Sequence, residues 1–313
     1  MGRKGIGPCG PPLNRPPRGC SPCSCGPTRW CGLRDSDLSQ PSLGPLLGRG
    51  RTAEIYAWGE GQVIKLFLEG WPEEAVRHEE EMARLVMALG LAAPRFYGRA
   101  AIGRRTGLIY ERIEGPSMLQ ALLKAPWRLV RYAEHFAALH AAMHRERQPG
   151  LPSYREGLAQ RIRKAPLLAE AEKAYLLACL EALPAGEAIC HGDFHPDNIL
   201  ISPHGPVIID WNDAKRGAPA ADVARTVLLF RAPLSLPGLG IPKRWLIRWA
   251  KGAFLRAYLR AYCRLYPLSL EDVEAWLLPV AAGRLAERIP GEERFLLGMI
   301  RTRLSARDLP GRA

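Results

Sequence analysis

The sequence predicts an α+β fold in which a small antiparallel sheet carrying one helix precedes a larger, mainly helical region. Alternating apolar residues predict strands at residues 62–67 and again from residue 107. Between them, apolar residues recur at helical spacing over residues 73–89. Beyond residue 115 the chain is dominated by helical patterns, interrupted by one turn-rich segment around residues 191–213.

Residues 1–45 differ in composition from the rest of the chain. They contain 17 Gly or Pro residues, almost no aliphatic pattern and five of the eight cysteines. Such a segment cannot bury enough apolar surface to offset the entropy of ordering it, so we expect it to be disordered. Cys20 and Cys23 have the spacing of a zinc pair, but no second well-spaced pair completes a site. The segment also lacks the apolar core of a signal peptide.

Charge and length narrow the classes of function. The 313 residues carry a net charge of +13, and a basic surface favours anionic partners such as ATP. No nucleic-acid motif is present, and no apolar run approaches the roughly 20 residues that a transmembrane helix needs. Cys179, Cys190 and Cys263 are scattered, as expected of reduced thiols. We therefore expect a cytoplasmic protein with no membrane span and no specific nucleic-acid partner. The oligomeric state leaves no signal in the sequence.

The segment from His191 to Leu200, followed by Asp210, carries the strongest chemical signal. Asp193 and Asn198 lie five residues apart on a predicted tight loop. A strand at 199–201, a turn at 202–205 and a returning strand at 207–209 are expected to bring Asp210 back beside Asn198. Two oxygen ligands with a further carboxylate nearby are what magnesium-assisted phosphoryl transfer requires.

The spacing of Asp193, Asn198 and Asp210 matches the catalytic loop of kinases. The tripeptide His-Gly-Asp at 191–193, where protein kinases carry His-Arg-Asp, resembles instead the aminoglycoside phosphotransferase and choline kinase family, as do residues 209–224. The resemblance covers roughly residues 46–300. It implies a two-lobed, protein-kinase-like fold, with an N-lobe at residues 46–112 and a C-lobe at residues 113–313.

The resemblance also implies roles for individual side chains. Asp193 would accept or orient the proton of the acceptor hydroxyl, and Asn198 and Asp210 would hold Mg²⁺ at the nucleotide phosphates. Asp222 would hold the backbone of the catalytic loop, although an ordinary helix N-cap explains it equally well. Trp211 is placed to form one wall of a binding site.

A glycine-containing turn between two strands is expected at residues 47–55. Gly48 and Gly50 would let backbone N–H groups approach phosphate oxygens. Thr52 lies in the turn, where a third glycine is usual. We therefore expect Gly48, Gly50 and Thr52 to contact the nucleotide.

Lys65 lies on the same face of its predicted strand as Val63 and Phe67. Because a buried ammonium is costly without a partner, we expect Lys65 to bind the nucleotide phosphates and to pair with a helix carboxylate. Glu79 shares the apolar stripe of the helix at 73–89 and is the first choice, with Glu80 as the second.

The resemblance places the hinge between the lobes at residues 110–115. Tyr110 then lies near the gatekeeper position, and the backbone groups of Glu111 to Ile113 face the adenine. Recognition by backbone groups leaves no signature in the sequence, so this assignment depends on the family alone.

Two helical segments of the C-lobe allow alternative interpretations. His140 and His144 have a spacing that can bind metal, but no third ligand is evident nearby, and packing or capping is favoured. Residues 243–266 form a basic helix with interleaved aromatic residues. A membrane-surface or nucleic-acid role is one interpretation; a lobe helix with its aromatic side buried and its arginines in solvent is preferred.

These expectations describe an ATP- and Mg²⁺-dependent phosphotransferase that acts on a hydroxyl of a small molecule, with Asp193 and Lys65 as the catalytic residues. A catalytically silent ATP-binding regulator is one alternative, and a protein Ser/Thr kinase is another. The basic charge weighs against a polycationic acceptor.

Overall fold

The computed structural model describes residues 43–233 and 240–305. All of these described residues belong to one compact unit. Residues 1–42, which hold most of the segment predicted to be disordered and the Cys20 and Cys23 pair, lie outside the described residues. The first strand begins at Leu43.

The N-terminal region is a five-stranded antiparallel sheet with the order β1-β2-β3-β5-β4. Its strands are β1 (Leu43–Arg49), β2 (Ala53–Trp58), β3 (Gln62–Phe67), β4 (Phe96–Ile102) and β5 (Arg105–Glu111). Helix α1 (Glu73–Ala88) turns Val76, Glu79, Met82 and Val86 inward. The apolar stripe of the sequence predicts this face, because these residues recur at helical spacing.

The C-terminal region is mainly helical. Its helices are α2 (Met118–Lys124), α3 (Leu129–Met143), α4 (Tyr154–Lys164), α5 (Glu170–Glu181), α6 (Pro219–Arg231), α7 (Ile241–Leu265), α8 (Leu270–Leu285) and α9 (Glu293–Ser305). Four short strands lie among them: β6 (Ala188–Cys190), β7 (Ile199–Ser202), β8 (Gly205–Ile208) and β9 (Lys215–Gly217). The predicted α+β fold, with a sheet region followed by a helical region, is confirmed.

Two apolar clusters stabilise the fold. The smaller one lies between the sheet and α1 and contains Phe67, Val76, Phe96 and Leu108. The larger one joins the helices and includes the fully buried Phe136, Phe194 and Trp276. Among the described residues, no helix is long and apolar enough to cross a membrane.

Candidate active site

Lys65 connects the sheet, helix α1 and the β7–β8 hairpin. It lies on the central strand β3, opposite Ile55 of β2 and Leu108 of β5. Its Nζ is 2.6 Å from Glu79 Oε1 and 3.3 Å from Asp210 Oδ1. The second choice, Glu80, points elsewhere and pairs with Arg84 at 2.7 Å. The structure therefore brings together the lysine, the first-choice glutamate and the expected metal-binding aspartate.

The electrostatics of this cluster keep Lys65 charged. Burial alone lowers the pKa of Lys65, but the carboxylates of Glu79 and Asp210 outweigh it, so the net shift is upward. The Tyr110 hydroxyl donates a hydrogen bond to Glu79 Oε1 at 3.3 Å. Burial and the Glu79 charge raise the pKa of Tyr110 well above its usual value. Lys65 therefore carries a positive charge at physiological pH.

The β7–β8 hairpin places Asp210 beside Asn198. Ile199 pairs with Ile208 in the ladder, and the Ile209 N–H donates to the Asn198 carbonyl at 2.9 Å. Asp210 adopts a left-handed conformation with φ 64° and ψ 60°. Non-glycine residues in this region are uncommon and cluster at functional sites, where the surrounding structure holds them.

Asn198 and Asp210 each offer an oxygen to a cation. Asn198 Nδ2 donates to the Asp193 carbonyl at 3.0 Å, which orients the amide and leaves Oδ1 without a donor among the described residues. Asp210 Oδ1 accepts from Lys65 and from Asn212 Nδ2, whereas Oδ2 has no donor within the described part of the chain. An amide oxygen and a carboxylate oxygen fit a hard divalent cation such as Mg²⁺.

Asp193 is held ionised. Its Oδ2 lies 3.4 Å from His195 Nε2, and its Oδ1 lies 4.0 Å from Arg225 Nη2. Burial raises the pKa of Asp193, but the hydrogen bond and charge of His195, with Arg225, outweigh burial and lower the pKa to about 2. His195 Nδ1 accepts from the Asp197 N–H at 3.3 Å, so Nε2 carries the proton that it shares with Asp193. His195 therefore supports the loop.

Gly192 explains the glycine of the His-Gly-Asp segment. Its φ is +79°, and a Cβ at this position would lie 2.7 Å from the Asp213 carbonyl oxygen. A side chain here would be both strained and obstructed. The loop passes so close to residue 213 that only glycine fits.

Asp222 holds the backbone of the loop that contains His191 and Gly192. Its carboxylate is fully buried and accepts from the His191 N–H at 2.6 Å and the Gly192 N–H at 2.8 Å. His140 and His144 approach it at 3.1 and 3.3 Å through their Nε2 atoms. The N-cap of α6 is Ala218, so the N-cap interpretation of Asp222 is wrong.

The pair His140 and His144 does have a third potential metal ligand, Asp222, which sequence spacing could not reveal. The hydrogen bonds nevertheless favour a metal-free network. Each His Nδ1 lies 2.7 Å from a tyrosine hydroxyl, that of Tyr258 or Tyr262, which can donate while Nε2–H donates to Asp222. Burial and the neighbouring His144 lower the pKa of His140 to about 3, so it is neutral. Every polar atom of this network has a partner without a cation.

Of the two predicted phosphate-binding glycines, Gly48 lies in strand β1, opposite Ile55 of β2, and Gly50 lies in the turn between these strands. A Cβ on Gly48 would meet nothing within 4 Å, so protein packing does not require glycine there. The Gly50 N–H donates to the Ala53 carbonyl at 2.8 Å and is not available to a ligand. The Thr52 carbonyl accepts from Leu68, and its side chain is half-buried. The open side at Gly48 leaves room for a phosphate to approach the backbone.

The two residues expected to face the adenine, Glu111 and Ile113, differ in whether their backbone groups are available to a ligand. The Glu111 N–H donates to the Arg95 carbonyl at 2.8 Å, so it is already used. Ile113 follows β5, and within the described residues neither its N–H nor its C=O forms a hydrogen bond. Gly115, with φ +146°, lies so close to Ile201 that a Cβ would be 2.0 Å from its carbonyl oxygen. The segment expected to form the hinge is thereby packed against the β7–β8 hairpin.

The structure also changes the role of one residue and adds another. Trp211 is 7% exposed, donates from Nε1 to the Ile208 carbonyl at 3.0 Å and packs on His191, so it forms the floor of the loop and is not a wall of the acceptor site. Arg225 is buried on α6 and donates from Nε to the Gly192 carbonyl at 3.2 Å. Its position among the apolar residues of this helix was the only signal for it in the sequence.

A kinase-like phosphotransferase is the class that this fold and this cluster of Lys65, Glu79, Asp193 and Asp210 define. The family model described as the phosphotransferase enzyme family matches residues 46–276. The chain belongs to that family. No curated protein sequence matches the chain.

Solved structures share the fold at low sequence identity. A thermostable mutant of aminoglycoside phosphotransferase APH(4)-Ia, in a complex with AMP-PNP and hygromycin B, is 15% identical to this chain, with a TM-score of 0.57. The match covers 86% of this chain and 94% of that chain. The streptomycin–ATP complex of APH(2")-IIa is 17% identical, with 86% and 92% covered and a TM-score of 0.54. Choline kinase from Cryptosporidium parvum Iowa II is 13% identical, with 88% and 93% covered and a TM-score of 0.51.

Proposed function

We propose that the protein transfers the γ-phosphate of ATP, with Mg²⁺, to a hydroxyl group of a small molecule. The observation that carries the proposal is the position of Lys65, whose Nζ lies within 3.3 Å of both Glu79 and Asp210. This contact joins the expected phosphate-binding lysine of the sheet to the expected metal-binding carboxylate of the hairpin. Asp193 and Asn198 lie on the loop that leads into the same hairpin.

The chain's own residues then divide the work. Lys65 and the open backbone at Gly48 bind the phosphates, and Ile113 offers its free N–H and C=O to the adenine. Mg²⁺, held by Asn198 and Asp210, would neutralise the charge that develops on the phosphates. Asp193 orients the acceptor hydroxyl and receives its proton, which the strongly lowered pKa permits only in concert with phosphate transfer.

The surroundings of Asp193 favour an acceptor that is not a polycation. The nearby carboxylates of Asp213 and Glu287 are already paired, with Arg161 at 3.1 and 3.2 Å. Arg225 also pairs with Glu287 at 2.8 Å. No unpaired acidic surface therefore remains among the described residues of this cluster to attract several ammonium groups. We expect a neutral or anionic hydroxyl compound.

The two alternatives make different predictions. A silent regulator would bind Mg-ATP without yielding a product, although Lys65, Asp193, Asn198 and Asp210 are all present. A protein kinase would label protein substrates, but the recognisable Asp-Phe-Gly and Ala-Pro-Glu elements do not follow Asp210, where the sequence continues Trp-Asn-Asp.

The test is an acceptor screen with labelled ATP, comparing the wild-type chain with Asp193→Asn. We expect label on at least one small hydroxyl compound, and a loss of turnover of about 100-fold or more in the variant. Nucleotide affinity should change little, because Asp193 does not contact the expected phosphate ligands. Asp197→Asn, four residues away on the same loop, is the control. Unchanged turnover in Asp193→Asn would reject the mechanism.

A further inference from the structure

Helix α7 exposes large apolar side chains that the helical region does not cover. Trp245, Leu246 and Trp249 are 66%, 58% and 54% exposed. The preferred interpretation of this helix, with its aromatic side buried, holds for Phe254 and Tyr258 but is wrong for the two tryptophans. The first turns of α7 therefore extend beyond the packed core.

The exposed residues of α7 share one face. Trp245 and Trp249 are four residues apart, and Arg256 and Arg260 continue the same face at helical spacing. Phe254 and Tyr258 point into the core on the opposite side, against Phe136 and His140 of α3. The outward face is consequently apolar over its first turns and basic farther along.

The start of α3 extends this surface. Phe136 meets Phe254 and His140 meets Tyr258, so α3 and α7 run parallel and begin at the same end of the helix pair. Trp127, in the short turn that precedes α3, is 79% exposed, and Val130, in the first turn of α3, is 56% exposed. A groove of about 240 Å³ lies between the helices, lined by Val130, Glu134, Ala253, Arg256, Ala257, Arg260 and Arg264. We call the residues Trp127, Val130, Trp245, Leu246 and Trp249 the apolar tip.

The charge around the apolar tip is positive and largely uncompensated. Helix α7 contains seven Lys or Arg residues and no Asp or Glu. Within the described ranges, Lys243, Arg248, Arg256 and Arg260 have no carboxylate partner, whereas arginines beside the active site are paired. Unpaired cations that surround exposed apolar side chains produce a surface with a defined chemistry, attractive to anions at its edge and to hydrocarbon at its centre.

We propose that this face docks onto the surface of a bilayer that contains anionic phospholipids. The tryptophans and Leu246 would enter the boundary between headgroups and acyl chains, and the unpaired cations would contact lipid phosphates. Aliphatic residues favour lipid over nucleic acid, because Leu246 and Val130 gain from contact with hydrocarbon but provide no stacking platform for bases. The proposal does not depend on the phosphotransferase reaction.

The test is co-flotation of the full chain with vesicles of phosphatidylcholine alone or with about 30% phosphatidylglycerol. The variant Trp245→Ala/Trp249→Ala removes the centre of the surface, and its control, Trp71→Ala/Tyr97→Ala, removes two aromatic residues that are 38% and 50% exposed elsewhere. All these side chains are partly in solvent, so unfolding midpoints should stay close to that of the wild type.

We expect flotation with the anionic vesicles only, weakened by salt, and a loss of about tenfold or more in partitioning for the tryptophan pair but not for the control. A second pair, Arg248→Ala/Arg256→Ala, should weaken binding, unlike Arg104→Ala/Arg301→Ala. Equal partitioning of the wild type and the tryptophan pair would overturn the proposal. Displacement of the protein from vesicles by a single-stranded oligonucleotide of equal total charge would also overturn it. A wild-type dimer in sedimentation that becomes a monomer in the Trp245→Ala/Trp249→Ala variant would do the same.

Discussion

Replacing Asp222 tests how the loop at residues 191–198 is held. The carboxylate is fully buried and accepts two backbone N–H groups, from His191 and Gly192, and two imidazoles, from His140 and His144. Asp222→Ala leaves two peptide donors unpaired and breaks a buried charged network, which costs about 3–5 kcal/mol of the free energy of unfolding.

Asp222→Asn should cost less, for a geometric reason. With its amide nitrogen at the Oδ2 position, the NH₂ can donate to both imidazoles if they switch tautomer and donate from Nδ1 to Tyr258 and Tyr262. Its oxygen, at the Oδ1 position, then accepts from Gly192, and the His191 N–H loses its acceptor. One buried peptide N–H then remains unpaired, at a cost of about 1–3 kcal/mol. The expected order of stability is therefore wild type, Asn, Ala.

Urea unfolding followed by circular dichroism measures both variants. The control is Asp272→Ala, which removes an exposed carboxylate that caps α8 and should cost about 1 kcal/mol or less. Stability of Asp222→Ala equal to that of the control would refute the reasoning.

The pKa of Asp222 also makes this stabilisation depend on pH. Burial raises the pKa of Asp222, but the two histidines outweigh burial and hold the pKa well below its usual value. A folded-state pKa below the unfolded value means that this stabilisation is present near neutral pH and is lost on acidification.

Three further predictions concern the site and its support. Lys65→Ala should lower kcat/KM for ATP about 100-fold or more, and Glu79→Gln should lower it less, while Glu80→Gln should be neutral; equal effects of Glu79→Gln and Glu80→Gln would contradict the observed pairing. His195→Ala removes a hydrogen-bond donor to Asp193, so the pKa of Asp193, about 2, should rise. The acid limb of the pH–rate profile should then move up by about one pH unit; an unmoved limb would show that ionisation of Asp193 does not set the limb. His140, with its pKa lowered to about 3 by burial and by His144, binds a proton more weakly folded than unfolded, so the urea midpoint should fall as the pH drops from about 6.5 to 4.5; a flat midpoint, or the same slope in His140→Gln, would contradict this.

Much of the candidate site could be predicted because it depends on local chain geometry. A hairpin of known strand spacing returns Asp210 to Asn198 whatever the rest of the fold does, and the ladder between Ile199 and Ile208 shows this return. The phase of α1 likewise separates Glu79 from Glu80, since neighbours on a helix are about 100° apart. These relations are set by a few consecutive residues.

Other features depend on which elements meet, and periodicity does not contain that information. The pattern of α7 shows that Trp245 and Trp249 share a face. It does not show that α3 packs only against later turns of α7, which leaves both tryptophans exposed. The same limit applies to Trp211, whose burial under the loop depends on His191 packing against it.

The loop at residues 191–198, the strand with Lys65 and the helix face with Glu79 can be predicted from the sequence alone, because backbone periodicity and turn chemistry act over short distances. Three contacts depend instead on tertiary packing: Asp222 accepts from the loop backbone, Arg225 donates to Gly192, and Lys65 reaches an aspartate 145 residues away. Those contacts form when separate elements pack and exclude water, so their geometry is a property of the assembled fold.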